Sequence, residues 1–162
     1  MPDHDAPLVE LYRTMLTIRR FEERCNYLFM QGKIPSTLHL YIGQEAVAVG
    51  AMSVIYKHDF VITGYRCHGH YLARGGSLRA GMAELMGKAT GCAEGRGGSM
   101  HFFDTALNFM GGWGIVGSQV PVGAGFAFAQ KYRGDKGVTL CFMGDGAINI
   151  GSFHEGLSLA AL

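Results

Sequence analysis

The sequence predicts an α/β fold, a parallel sheet flanked by helices, and three observations carry that prediction. Residues 138–143 are apolar at nearly every position instead of alternating, the pattern of a strand covered on both faces as in a parallel sheet. Stretches with helical spacing stand between the candidate strands. The 25 glycines are not spread as a linker would spread them but concentrate in 91–125 and 144–151.

Taken in order, residues 6–31 read as a helix, with Leu8, Leu11, Met15, Ile18, Cys25 and Leu28 at helical spacing. Asp5 is placed to cap it, Pro7 suits its first turn and Gly32 ends it. Arg19, Arg20, Glu22 and Glu23 read as a solvated, salt-bridged face. Residues 43–56 predict a second helix, 59–63 a short strand, and 69–74 and 79–88 further helical pieces. Residues 89–117 form a glycine-rich stretch with little periodicity, and unstructured runs that long in a compact domain are usually functional. A small-residue helix over 118–132, a turn at 133–137 and the strand 138–143 follow. Ligands bind open parallel sheets beyond the carboxyl ends of the strands, where Gly144-Asp145-Gly146 stands.

The chain has 162 residues, enough for one domain with a real core. A net charge of +1 gives no global field pointing to nucleic acid or a membrane surface. No apolar run reaches the roughly 18 residues of a membrane span, and the first residues lack the pattern of a secretory signal. Cys25, Cys67, Cys92 and Cys141 are scattered, which fits a reducing cytoplasm better than a disulfide framework or a zinc site.

Five constellations bear on chemistry. In Gly144-Asp145-Gly146, a carboxylate at a strand end can reach a hard cation, and the glycines let a phosphate approach the backbone. The tripeptide alone reads more readily as a tight turn with Asp145 capping the next helix. Residues 112–117 fit Gly-x-Gly-x-x-Gly, the dinucleotide pattern, but FFDTALNFMG before them is a poor strand, and the candidate acid, Asp135, sits in a turn. Tyr65, Arg66, His68 and His70 follow the short strand and could grip a phosphate or form a polar loop; no further ligand at metal spacing accompanies the histidines. The run from Gly91 to His101 ends in Ser99 and His101 without a nucleophile elbow or an evident base partner, so it reads as a structural loop. His39, alone among apolar neighbours, reads more readily as a core residue than as a catalyst.

In order and spacing, the segments HLYIGQEA (39–46), TGYRCHGH (63–70), GCAEGRGGSMH (91–101), GIVGSQVPVGAG (114–125) and GDGAINIGSFHEGLSLAAL (144–162) resemble the α subunit of the thiamine-diphosphate-dependent 2-oxoacid dehydrogenases, the E1 component. The resemblance covers nearly the whole chain. It implies a thiamine-diphosphate-binding fold, as one domain with an N-terminal helix in 1–35 and a cofactor-binding region in 36–162. It implies Asp145 as ligand of Mg²⁺, Gly146 and Ala147 as backbone contacts to the diphosphate, Tyr65 and Arg66 as its side-chain contacts, and Gly114 and Val116 beside the aminopyrimidine. His39 would line the substrate end as the catalytic residue.

The implied activity is oxidative decarboxylation of a 2-oxo acid, pyruvate before acetoin-type or branched-chain alternatives, with acyl transfer to the lipoyl group of E2. The implied assembly is an α2β2 heterotetramer in which a β subunit supplies the acid that activates the cofactor. The implied location is a bacterial cytoplasm or a mitochondrial matrix. The family pattern runs on past Leu162 to an asparagine pair that holds the second metal ligand. The expectation is therefore a sheet truncated before its later strands, inactive alone, poorly soluble without a partner, and at the least a module that docks on β. A nicotinamide-dependent oxidoreductase using residues 112–117 is the competing enzyme class.

Overall fold

The structure is a computed structural model that describes residues 8–162; the proposed capping residues Asp5 and Pro7 lie outside them. The first helix, α1 (Leu8–Met30), buries Ile18, Phe21, Glu22, Cys25 and Leu28, a stripe at helical spacing against the core. Its charged residues do not form one solvated face. Arg20 and Glu23 make an exposed pair, but Arg19 reaches Glu45 at 2.7 Å, and Glu22 is turned fully into the core. Glu22 stands four residues after Ile18 and three before Cys25, on the buried stripe, and a partner across the core makes burial of its carboxylate tolerable.

After α1 come α2 (Glu45–Val54), β1 (Phe60–Gly64), α3 (His68–Ala73) and α4 (Leu78–Leu85). Two single 3₁₀ turns, Gly98–Met100 and Thr105–Leu107, lead to β2 (Phe109–Trp113). The chain continues through α5 (Gln119–Arg133), β3 (Thr139–Cys141), a 3₁₀ turn at Asp145–Asn149 and α6 (Gly151–Ala161). The three strands form one parallel sheet in the order β2-β1-β3. β1 is central, and Val61 and Ile62 are fully buried in it. Asp59 fixes the entry to the sheet by accepting the amides of Tyr56 and Val138, at 2.7 and 2.9 Å. Arg74 donates to the carbonyls of Tyr56, Lys57, Asp59 and Leu107, clamping the strand entries to α3.

Two sequence expectations need correction. The poor strand is a strand: Phe109–Trp113 pairs with β1 at Val61↔Phe109, Thr63↔Gly112 and Gly64↔Trp113, with an irregularity between. Glycines lower strand propensity, but here they permit close packing. A Cβ on Gly112 would stand 2.7 Å from Cys67 Sγ and 2.5 Å from the Met100 carbonyl oxygen. The strand expected at 138–143 is reduced to Thr139–Cys141, and it is half-buried, not covered on both faces. β3 pairs only with β1 among the described residues.

The glycine-rich run after α4 has a physical organiser. Glu84, fully buried, accepts the amides of Ala93 and Gly95 on one carboxylate oxygen, at 2.8 and 2.9 Å. Its other oxygen accepts those of Gly97 and Gly98, at 2.7 and 3.1 Å. The loop is wound round that carboxylate, which does the work of a ladder.

All four cysteines are free thiols. Burial pushes Cys67 up to about 12 and Cys92 and Cys141 up to about 11, and it raises Cys25 further.

Candidate functional site

A cavity of about 330 Å³ opens at the carboxyl ends of the strands. Thr63 and Gly64 end β1 there, followed by Tyr65 and Arg66; Val116, Gly117 and Gln119 come from the β2–α5 turn; Phe142 to Ala147 follow β3. Tyr41, Gln44, Val47 and His70 complete its wall. The sheet thus gathers residues from three separated segments at the place where open parallel sheets bind ligands.

Of the residues singled out in the sequence, Tyr65, Arg66, Val116, Asp145, Gly146 and Ala147 all line this cavity. Gly114 and His39 do not. Gly114 stands beside the His101 ring, whose Nδ1 is 3.0 Å from the Gly112 carbonyl oxygen. His39 packs its ring edge-on against Tyr65, centroids 4.8 Å apart, one side chain behind the wall. Burial, then the Arg66 and His68 charges, lower the pKa of His39 below its usual value, and its Nδ1 is buried without a hydrogen-bond partner among the described residues.

Asp145 does not cap the next helix. It opens the 3₁₀ turn, and α6 begins only at Gly151, after an extended Ile150. Its carboxylate is exposed and has no hydrogen-bond or ion-pair partner among the described residues. A Cβ added to Gly144 or Gly146 would meet nothing within 4 Å, so both sides of the acid are open. Arg66 is exposed as well, tethered by Nη1 to the Leu40 carbonyl at 2.6 Å, and its guanidinium lies 5.7 Å from the Tyr65 ring centroid. Gln119 is almost fully buried, its Nε2 donating to the Phe142 carbonyl at 3.1 Å and its Oε1 without a donor.

These groups fit a diphosphate held through a hard cation. No cluster of three His, Cys, Asp or Glu residues exists among the described residues. A lone carboxylate suits Mg²⁺, which keeps waters and takes phosphate oxygens in place of a full protein cage. A guanidinium and a phenol in the same lining suit the phosphate oxygens themselves. His70, read from the sequence as a possible phosphate contact, belongs to the same wall, as do Gln119, Tyr41, Gln44 and Thr63, to which the sequence reading assigned no role. Gln119 sits within the GIVGSQVPVGAG segment, where only the glycine and valine drew attention.

The dinucleotide pattern fails on topology. The strand–turn–helix it requires is present as β2, residues 114–118 and α5. But β3, which follows α5, lies on the far side of β1 from β2, whereas a dinucleotide-binding βαβ unit pairs its two strands as neighbours. Gly117 has a local reason of its own: its φ is +80°, and a Cβ there would run into the Ile150 side chain. Nor do the histidines of the 63–70 segment form a metal pair. His68 turns to Glu22 and Ser99, His70 to Tyr41 and Thr63.

His70 is neutral in the fold. Burial drives its pKa down to about 4, and it packs on Phe142 at 4.2 Å between centroids. The unfolded chain takes up this proton near the ordinary histidine value, so the contribution to stability is complete above that pH and is lost as pH falls towards 4. By pH 5 the loss should reach about 2 kcal/mol, and His70→Gln should remove that slope. Urea midpoints at pH 7.5 and 5 measure it; equal pH dependence in the two proteins would refute it.

The family model described as dehydrogenase E1 component matches residues 13–162. Among curated proteins, the chain is 52% identical to the pyruvate dehydrogenase E1 component subunit alpha of Zymomonas mobilis, over 100% of this chain and 49% of that protein. It is 53% identical to the subunit of the same name from Rhizobium meliloti, over 95% of this chain and 44% of that protein. To the mitochondrial subunit alpha-1 of Oryza sativa it is 50% identical, over 97% and 40%. The chain spans about half the length of these curated relatives or less.

Proposed function

Because the chain belongs to the dehydrogenase E1 component family, we propose that it is the amino-terminal part of an α subunit that carries out oxidative decarboxylation of a 2-oxo acid, pyruvate first. The family depends in general on thiamine diphosphate. The observation that supports the reading most directly is the cavity that joins Arg66, Tyr65 and an exposed Asp145 at the carboxyl ends of the strands. Close relatives named for pyruvate dehydrogenase support the substrate.

Thiamine diphosphate, when bound, supplies the carbanion and the electron sink for loss of CO₂. The chain's part is to bind and orient. Asp145 holds Mg²⁺, and Gly146 and Ala147 present backbone to the diphosphate. Arg66 and Tyr65 would contact the diphosphate through their side chains, Arg66 kept in place by the Leu40 carbonyl. Val116 and Gly114 bound the aminopyrimidine end, and Gly114 acts from behind the wall, next to His101. His39, neutral and braced on Tyr65, lines the substrate end. Residues 36–162 form the cofactor-binding region, and 1–35 is the leading segment that carries α1. The partners are a β subunit in an α2β2 assembly and a lipoylated E2 that accepts the acyl group. The setting is the bacterial cytoplasm or the mitochondrial matrix.

The test is a calorimetric titration of thiamine diphosphate into the full-length subunit assembled with its β partner, with Mg²⁺ and then with EDTA. Micromolar binding that EDTA abolishes is expected, with CO₂ release from pyruvate exceeding turnover of acetoin. Binding of NAD in place of thiamine diphosphate, indifferent to Mg²⁺, would overturn the reading.

A further inference from the structure

A string of buried polar groups runs beneath the cavity and takes no part in the binding scheme above. Glu22 on α1, His68 at the start of α3 and Ser99 in the 3₁₀ turn Gly98–Met100 have 0%, 0% and 1% of their surface exposed. Glu22 Oε1 lies 2.8 Å from His68 Nδ1. His68 Nε2 lies 2.9 Å from Ser99 Oγ and 3.0 Å from the Ser99 carbonyl oxygen.

The connectivity is that of a nucleophilic triad, but the chemistry is not. Nε2 is shared between Ser99 Oγ and the Ser99 carbonyl oxygen, which can only accept, so it is not a base held for the hydroxyl alone. A nucleophile also needs access, and Ser99 has none.

Both ends of the string close on one short stretch of chain. Ser99 Oγ accepts the His39 amide at 2.9 Å, and Glu22 Oε2 accepts the Tyr41 amide at 3.1 Å. Between them the Leu40 carbonyl accepts Arg66. Residues 39–41 are irregular backbone, with no ladder of their own to fix them. Their side chains matter to the cavity: His39 backs Tyr65, and the Tyr41 hydroxyl meets His70 at 3.3 Å.

We propose that Glu22, His68 and Ser99 are positioning residues that set the backbone of residues 39–41, and with it the placement of His39 and Tyr41 against the cavity wall. The catalytic consequence rests on the reading above, in which His39 lines the substrate end. The string joins three elements far apart in sequence, so its geometry is available only when α1, α3 and the glycine-rich loop are docked together. Arg66 leans on this stretch through the Leu40 carbonyl, but Asp145, Gly146 and Ala147 stand on another segment, so a fault here should fall on substrate use more than on cofactor affinity.

Ser99→Ala in the full-length subunit assembled with its β partner tests this. The expected result is a loss of kcat/KM for pyruvate of about tenfold per cofactor-loaded site, with the thiamine diphosphate dissociation constant held within about twofold. The His39 amide should exchange with solvent at least about tenfold faster, and the His39 ring resonances should shift. Unchanged kcat/KM, or a parallel loss of cofactor affinity, would overturn the catalytic role. Unchanged His39 amide exchange would overturn the positioning itself, whatever the activity. If wild-type enzyme binds no cofactor, the functional reading falls, and the exchange measurement still decides the positioning. Should Ser99→Ala fail to fold, Ser99→Cys keeps the volume with a poorer acceptor and should change exchange in the same direction.

Discussion

Asp145→Asn is expected to weaken Mg²⁺-dependent cofactor binding by on the order of 100-fold or more while leaving the fold intact. The asparagine keeps the shape but presents a neutral carbonyl to a cation that selects charged oxygen. The charge it removes has no internal partner: the carboxylate is exposed at the head of a 3₁₀ turn, and the glycines on both sides face open space. Stability should therefore move by less than about 0.5 kcal/mol. Calorimetric titration of thiamine diphosphate at several Mg²⁺ concentrations, beside a urea melt, reads both. Wild-type affinity in the variant would remove Asp145 from the metal site. A collapsed melt would show that its role is structural.

Glu84→Gln is the largest stability effect to expect. The native carboxylate takes four amide donors, two on each oxygen. An amide in its place offers one oxygen, which can still satisfy two. Its NH₂ group then faces the other two donors, leaving them unpaired beside a fully buried side chain. Two unsatisfied amides and two weakened charge-assisted bonds should cost about 3–5 kcal/mol. Amide exchange at Ala93, Gly95, Gly97 and Gly98 should quicken by on the order of 100-fold, and the denaturation midpoint should fall. A midpoint within about 0.5 kcal/mol of wild type would show that the loop holds itself without this acid. Ser99 begins directly after the last of these amides, so a loosened loop should also reach residues 39–41.

The elements legible in the sequence were those whose signal is local. Helices α1, α2 and α5 declared themselves by spacing, and β1 by a compact apolar run between turns. β2 did not, because Phe-Met-Gly-Gly-Trp has poor strand propensity and becomes a strand through pairing with β1 and through Gly112 meeting Cys67. Tertiary contact overrode propensity there. At the cavity, the sequence marked part of the lining because short chemical motifs end at strand termini. It could not distinguish Tyr65, in the wall, from His39, just behind it. Nor could it see that Glu22, which reads as one more helix-surface charge, and Glu84 in the next helical piece are buried. A carboxylate becomes an organiser only when distant donors converge on it, and that convergence is set by the fold.

The four thiols make the molecule its own reporter of breathing motions. Cys25 lies on the buried face of α1 and Cys67 behind β2, both without exposed surface, and their raised pKa values keep the thiolate scarce at neutral pH. Alkylation must then wait for a local opening that admits both solvent and reagent. Mass spectrometry after pulses of a thiol reagent would time the lifting of α1 at Cys25 separately from the parting of the sheet at Cys67, with no introduced label.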